Sequence, residues 1–311
     1  MKIYTLARHQ GKEAAYENAL RKHGYQVSRF IHSNGIRFGL GDADWRRGWV
    51  DTLKEKRVKV FLYPHAARPM VIYDAQVVPN DYISCMFTQA EGGVELMKRI
   101  GYPCPVEAVG WALTEVLPFK PSASVKNILF APIHPNGNGF LHDIDKDINL
   151  RAYKTLAQYC KESGKKMTVR FCRNIRDNGL EKPYNTKEPF VTWHQATTDV
   201  ASRQMREFDL IVGHQTYAYM AVALGKPTLM MDEAVPPRCG NRADNFEFVK
   251  HWDDYKDYLM YPLDILNTEH SVEEWVDIAA SSDDPIKEWK KRFIGNPFDA
   301  DLFVERLESY L

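Results

Sequence analysis

The chain has 311 residues, 44% of them hydrophobic and 26% charged, and its 41 Lys and Arg are balanced by 41 Asp and Glu. That length allows two domains, and the even composition, free of low-complexity tracts and repeats, excludes a disordered chain or a solenoid. No apolar run approaches the ~18–20 residues needed to cross a bilayer, and MKIYTLARHQGKE turns polar too early for a signal peptide, so a cytoplasmic protein is expected. Cys85, Cys104, Cys160, Cys172 and Cys239 form no CxxC pair and no Cys/His cluster with zinc spacing, and read as reduced core thiols. Charge is uneven along the chain: residues 1–59 carry 13 Lys/Arg against 6 Asp/Glu. That excess suits either a patch for a phosphate-rich acceptor or a solvated helix face.

Lys2–Ala7 is short, apolar and partly alternating, as a first strand is. Gly11–His23 spaces Ala14, Ala15, Ala19 and Leu20 among charges like an amphipathic helix, Gly24 stops it, and Tyr25–Ile31 is the next strand. Val58–Tyr63 and Ile83–Thr88 read as buried strands, Glu91–Ile100 as a helix capped by Gly101, and Val106–Val109 as a last strand. Residues 118–124 (PFKPSAS) then have the composition of a linker. The pattern restarts with the strand Asn127–Ala131, a Gly/Asn/Pro-rich loop over Pro132–Gly139, and a helix over Asn149–Gly164. Met167–Phe171 (strand), Val200–Arg206 (helix), Leu210–Val212 (strand), Tyr217–Leu224 (helix) and Pro227–Met231 (strand) follow, and Ala300–Leu311 is a terminal amphipathic helix. Alternating strands and helices with short connections imply parallel sheets covered by helices. The expected architecture is α/β, with two Rossmann-like domains facing a cleft: residues 1–118, a linker over 119–124, and residues 125–311.

Two segments stand out chemically. In open α/β sheets ligands sit beyond the carboxyl ends of the strands, where loop amides and helix N-termini meet phosphate. The loop APIHPNGNG has that position, with His134, Asn136 and Gly137 as candidate phosphate contacts, although Asn-Gly also marks plain turns. In DLIVGHQTYAYMAVALGKPTLMMDE a strand ends at Gly213 and His214-Gln215-Thr216 opens a helix. Its orphan N–H groups and positive dipole end suit a diphosphate. His214 could donate to a ligand or merely cap the helix.

Here the sequence resembles the GT-B superfamily of nucleotide-sugar glycosyltransferases, which also holds UDP-N-acetylglucosamine 2-epimerases and CDP-glycerol glycerophosphotransferases. DLIVGHQTYAYMAVALGKPTLMM looks like the strand–turn–helix–LGKP–strand element of the family's donor domain, and ILFAPIHPNGNG like its first strand and loop. FTQAEGGVELMKRIGYPCPVEAVGW looks like the end of a GT-B first domain. The resemblance implies a nucleoside diphosphate sugar as co-substrate, with no cofactor and no metal. Many relatives place a ribose-binding glutamate five residues before the glycine of GKP, where this chain has Met220. Either Asp232 or Glu233 holds the ribose instead, or the donor differs, or donor binding is lost.

Three further segments take their roles from the resemblance. YPHAARP is similar to a His-bearing loop of the glycerophosphotransferase branch, which makes His65 a candidate base for an acceptor hydroxyl; a hydrogen-bonded loop histidine is the plainer alternative. Arg68 suits a phosphate or the surface. In GLGDADWRRGW, Asp42 and Asp44 compete with His65 as base, and Trp45 could stack on a sugar or a nucleobase. The plainer reading is a capped helix start with the Trp rings buried. Asp232, Glu233 and Arg238, at the end of the LMM strand, could line the donor site or form surface ion pairs, and His9 follows the first strand.

The implied function is transfer of a sugar to an acceptor hydroxyl, with a modified nucleic-acid base as one candidate acceptor. The rivals are a nucleotide-sugar 2-epimerase, a CDP-alcohol phosphotransferase, and a binding module that keeps the fold without catalysis.

Overall fold

A computed structural model describes residues 2–6, 14–29, 38–42, 59–63, 83–99, 104–133, 143–171, 180, 182–185, 187–195, 201–231 and 260–311. Its strands are β1 Lys2–Leu6, β2 Gln26–Arg29, β3 Phe38–Asp42, β4 Lys59–Tyr63, β5 Ile83–Thr88, β6 Val106–Ala108, β7 Asn127–Phe130, β8 Lys166–Phe171, β9 Val191–Gln195, β10 Leu210–Gly213 and β11 Thr228–Met230. Its helices are α1 Ala14–Lys22, α2 Glu91–Arg99, α3 Asp143–Ser163, α4 Ala201–Met205, α5 Gln215–Ala223, α6 Val272–Ala280, α7 Lys287–Phe293 and α8 Ala300–Ser309. By their internal contacts the described residues group into two compact units. One holds those up to Val116 together with Glu288–Leu311, the other those from Leu117 to 231 together with Met260–Lys287.

The first unit is built on a six-stranded sheet in the order β2-β1-β3-β4-β5-β6, every pair parallel. α1 forms because its small and apolar residues recur at helical spacing, and it buries Tyr16, Ala19 and Leu20. Gly24, at φ +81°, ends it, with the Tyr25 N–H donating to the Leu20 carbonyl at 3.0 Å. α8 begins at Asp299, whose carboxylate accepts from the Asp301 and Leu302 N–H groups. One apolar cluster joins α1, the sheet and α8: Tyr16 stacks on Tyr63 at 4.8 Å, and Phe303 meets Phe87 edge-on at 4.9 Å. The terminal helix is therefore part of the first unit's core. This departs from the expected second domain of 125–311, because hydrophobic periodicity shows that a helix has an apolar face but not which sheet receives it.

The second unit's sheet runs β11-β10-β7-β8-β9, again all parallel. Strands β7, β10 and β11 are short and almost wholly buried, as a sheet covered on both faces requires. The crossover from β7 through α3 to β8 and that from β10 through α5 to β11 run in opposite directions, so right-handed connections put α3 and α5 on opposite faces. α6 packs on α3, and α4 on α5.

Residues 118–124, expected as a linker, are hydrogen-bonded into this unit. The Lys120 N–H donates to Gly225 O and the Ser122 N–H to Ala280 O, while Leu117 just before them donates to Ala223 O. Gly225, at φ +71°, is required there twice over: it turns the chain out of α5, and a Cβ on it would overlap the Pro118 carbonyl oxygen. Among the described residues, no helix is long and apolar enough to cross a membrane.

Candidate functional site

In an open parallel sheet the crevice opens where the strand order reverses. In the second unit that point lies between β7 and β10, so the segments leaving those two strands flank it. They are the two segments that the sequence singles out, the loop that starts at Ala131 and the turn into α5 that starts at His214.

The loop exit is held from below. Asn149, buried on α3, accepts from the Ile133 N–H at 2.7 Å and donates to the Ile133 carbonyl at 3.0 Å. The Ala131 N–H donates to Val212 O at 2.8 Å, tying the end of β7 to β10. One buried amide thus fixes both backbone polar groups of a single residue, Ile133, and sets the direction in which the chain leaves the sheet. Sequence reasoning placed Asn149 only at the start of a helix. In fact α3 starts six residues earlier, at Asp143, which puts this amide inside the helix, and a buried Asn inside an amphipathic helix is the signal that marks it. His134, Asn136 and Gly137, the expected phosphate contacts of this loop, lie outside the described residues.

On the β10 side, His214 has extended backbone, φ −130° and ψ 149°, and α5 starts at Gln215. His214 is the N-cap residue of α5 by position, and its side chain makes no capping hydrogen bond to the helix. Thr216 is half-buried in the first turn. Ala218, Ala221 and Ala223 are fully buried, which lets α5 lie close on the sheet. Met220 packs against the cluster of Leu129, Met205, Ile211, Ala221 and Leu224. A carboxylate pointing there would be buried among aliphatic side chains, so methionine at this position follows from packing. Tyr217, in the first turn of α5, lies under the Arg170 guanidinium at 4.4 Å. Neither residue was singled out from the sequence, because an arginine that continues the polar alternation of Lys166 and Thr168 and an aromatic on an apolar helix look like ordinary edge and core residues.

In the first unit the strand order reverses between β1 and β3. Asp42 is the last residue of β3 and pairs in register with Tyr63, the last residue of β4. The Asp42 backbone is therefore at the carboxyl end of the sheet, where a ligand group would be met. GLGD, expected as the lead-in to a capped helix, is strand: pairing with β1 on one side and β4 on the other outweighs the low strand propensity of its two glycines. His9, Asp44, Trp45, His65, Arg68, Asp232, Glu233 and Arg238 lie outside the described residues, so the structure brings none of them together with Asp42, His214 or Thr216.

Cys85, Cys104 and Cys160 are buried free thiols, as expected of core cysteines. Burial pushes the Cys160 thiol up to about 12, which keeps it protonated and unreactive. Among the described residues, no cluster of three His, Cys, Asp or Glu could hold a metal ion.

Two parallel-sheet units of this kind define the class, a GT-B-like fold with two Rossmann-like domains. No protein-family model matches the sequence, and no curated protein sequence matches it. Solved structures do match. The S. aureus MnaA–UDP co-structure has a TM-score of 0.60 at 10% identity, with 100% of this chain and 96% of that one covered. UDP-GlcNAc 2-epimerase from Neisseria meningitidis, bound to UDP-GlcNAc, has a TM-score of 0.56 at 12% identity over 99% and 100% of the two chains. The enzyme of the same name from Methanocaldococcus jannaschii gives the same values. At such identities the likeness is one of fold, and it extends over essentially the whole length of both chains.

Proposed function

We propose that this chain binds a nucleoside diphosphate sugar at the carboxyl end of its second sheet and transfers the sugar to an acceptor hydroxyl. The observation that carries this reading is the meeting of two phosphate-suited segments at one switch point: the exit of β7, clamped by Asn149, and the N-terminus of α5, which opens straight after Gly213. It is supported by the fold shared with one structure holding UDP and one holding UDP-GlcNAc.

In this reading His134, Asn136 and Gly137 hold the diphosphate from the β7 side, and His214, Gln215 and Thr216 from the α5 side. Asp232, Glu233 and Arg238 complete the donor site, with one of the two acids taking the place of the ribose-binding glutamate. His65, ahead of Asp42 or Asp44, takes the proton of the acceptor hydroxyl as its oxygen attacks the sugar carbon and the diphosphate leaves. His9, Trp45 and Arg68 contact the acceptor. The helix dipole and basic groups stabilise the departing diphosphate without a metal.

A second reading, a nucleotide-sugar 2-epimerase, is favoured by the end-to-end fold match to two such enzymes. It needs acid and base groups at the sugar but no acceptor.

A thermal-shift panel of UDP, GDP, CDP, ADP and dTDP with their common sugars tests the shared part. A ligand at 100 times its Kd stabilises a fold by about 2.7 kcal/mol. A selective shift with one diphosphate supports the donor site, and no shift with any of them sinks it. The sugar nucleotide that binds is then incubated alone: conversion at C2 without any acceptor selects the epimerase. For a nucleic-acid acceptor, binding to duplex DNA must weaken steeply with salt; absent or salt-insensitive binding removes that acceptor.

A further inference from the structure

One pair of side chains in the second unit leaves polar atoms unmatched. Arg170 Nε and Tyr217 Oη are both buried, and neither has a hydrogen-bond partner among the described residues. The two side chains touch, the guanidinium lying 4.4 Å from the centre of the Tyr217 ring. Stacking on the ring's negative face favours the half-buried guanidinium, but it gives neither the Nε–H nor the hydroxyl an acceptor. Buried donors left unmatched are rare in native proteins and call for an explanation.

Their place in the sheet supplies one. The pairings Leu129↔Thr168 and Phe130↔Val169 put Arg170 beside Ala131, and Phe130↔Val212 puts Ala131 beside Gly213. Arg170, Ala131 and Gly213 therefore form one row across the carboxyl end, spanning the point where the strand order reverses. Alternation along the strands turns that row toward α5, and a Cβ built on Gly213 would lie 3.5 Å from the Tyr217 ring and 3.7 Å from the Ala131 Cβ. The middle and far members of the row are the two smallest residues available. Arg170 can thus extend over them, across two strand spacings of roughly 4.8 Å each, to reach the first turn of α5.

We propose that Arg170 and Tyr217 form an anion-recognition pair at this switch point, with the Arg170 Nε–H and the Tyr217 hydroxyl donating to oxygens of the ligand's phosphate groups. The inference deepens the donor-site reading and rests on it. Burial pushes the Tyr217 phenol up to about 12 while the nearby Arg170 opposes the rise, so the hydroxyl keeps its proton at neutral pH and can donate it. Arginine suits the task because it stays charged, presents its donors in a fixed fork and tolerates an aromatic face while doing so.

The test compares the wild type with Arg170→Met, Arg170→Lys and Tyr217→Phe by titration calorimetry. The probes are inorganic pyrophosphate, UDP and uridine, with the unliganded Tm of each variant measured alongside; if another diphosphate leads the panel, it and its nucleoside replace the uridine pair. The expected result is at least tenfold weaker binding of pyrophosphate and of the diphosphate by Arg170→Met, with partial recovery in Arg170→Lys. Tyr217→Phe should lose several-fold, and nucleoside affinity should stay constant throughout. Should Arg170→Met fail to fold, Tyr217→Phe, which removes one oxygen atom, carries the test alone. Variants that bind pyrophosphate as the wild type does and differ only in Tm would overturn the inference and leave the pair a purely structural stack. A wild type that binds pyrophosphate through Arg170 but no nucleoside diphosphate would sink the donor-site reading and spare the anion pair. Diphosphate binding indifferent to both residues would do the reverse, and a wild type that binds neither would end both.

Discussion

The two sheets are wholly parallel, but their cores are assembled from different reaches of the chain. In the second unit Leu129, Ala201, Met205, Ile211, Ala221 and Leu224 form one cluster within a single stretch of sequence. In the first, Tyr16, Phe61 and Phe87 close against Phe303, Val304 and Leu307 from the far end of the chain. The strand orders differ as well: reversal falls between β1 and β3 in one sheet and between β7 and β10 in the other. The second unit is the more local of the two, and its candidate ligand groups also come from neighbouring elements. A perturbation of the terminal helix should therefore be felt in the first unit, and one of the α5 region in the second.

The largest expected effect is that of Phe303→Ala, about 3–5 kcal/mol lost from the first unit through the cavity left beside Tyr16 and Phe87. Calorimetry that resolves two transitions should show the first unit's transition fall while ligand-induced stabilisation of the second persists. A single merged transition would break the comparison. Next comes Gly225→Ala, which combines a side chain at φ +71° with overlap on the Pro118 carbonyl; about 2–3 kcal/mol should be lost, read by urea denaturation. That loss should fall on the second unit, since residues 117–122 are hydrogen-bonded there.

Asn149→Ala strips the partners from both the N–H and the carbonyl of Ile133 and should cost about 1–2 kcal/mol. It should also weaken whichever nucleoside diphosphate shifts the wild type. Unchanged affinity would mean that the loop exit is not part of the ligand site.

The smallest effect is electrostatic. Hydrogen bonds from His23 and Lys22 hold the exposed Asp301 carboxyl below its usual 3.8. A carboxyl whose folded pKa is lowered contributes stability above its unfolded value and loses it as the pH falls through the folded one. The small stability difference between the wild type and Asp301→Asn should therefore be present near neutral pH and fade below 3.8. A difference that grows in acid would contradict the pairing of α1 with α8.

Much of the strand and helix pattern was legible because it depends on neighbours in sequence. Ile83–Thr88 is an apolar run of strand length, and Gly24 follows an amphipathic run that can go no further. The LGKP turn was legible for a similar reason, since glycine before a proline leaves few ways out of a helix. β3 was not, because FGLGD has low strand propensity and is held by partners on both sides. β9 also escaped notice, as did the docking of residues 118–124, whose prolines and serines look like a free linker until their N–H groups find acceptors.

At the candidate site, the sequence by itself determined that a glycine-ended strand meets a helix opening with His214-Gln215-Thr216, and that a Gly/Asn-rich segment comes after β7. It did so because turn chemistry and helix starts are local. Only the tertiary structure decided that these two segments leave adjacent strands, that Asn149 clamps one of them and that Met220 faces the core. It alone also placed Arg170, Ala131 and Gly213 in one row under Tyr217. Strand order and register arise from pairing between distant segments, Ile128 with Met167 on one side and with Leu210 on the other, and no local pattern encodes which strand lies beside which.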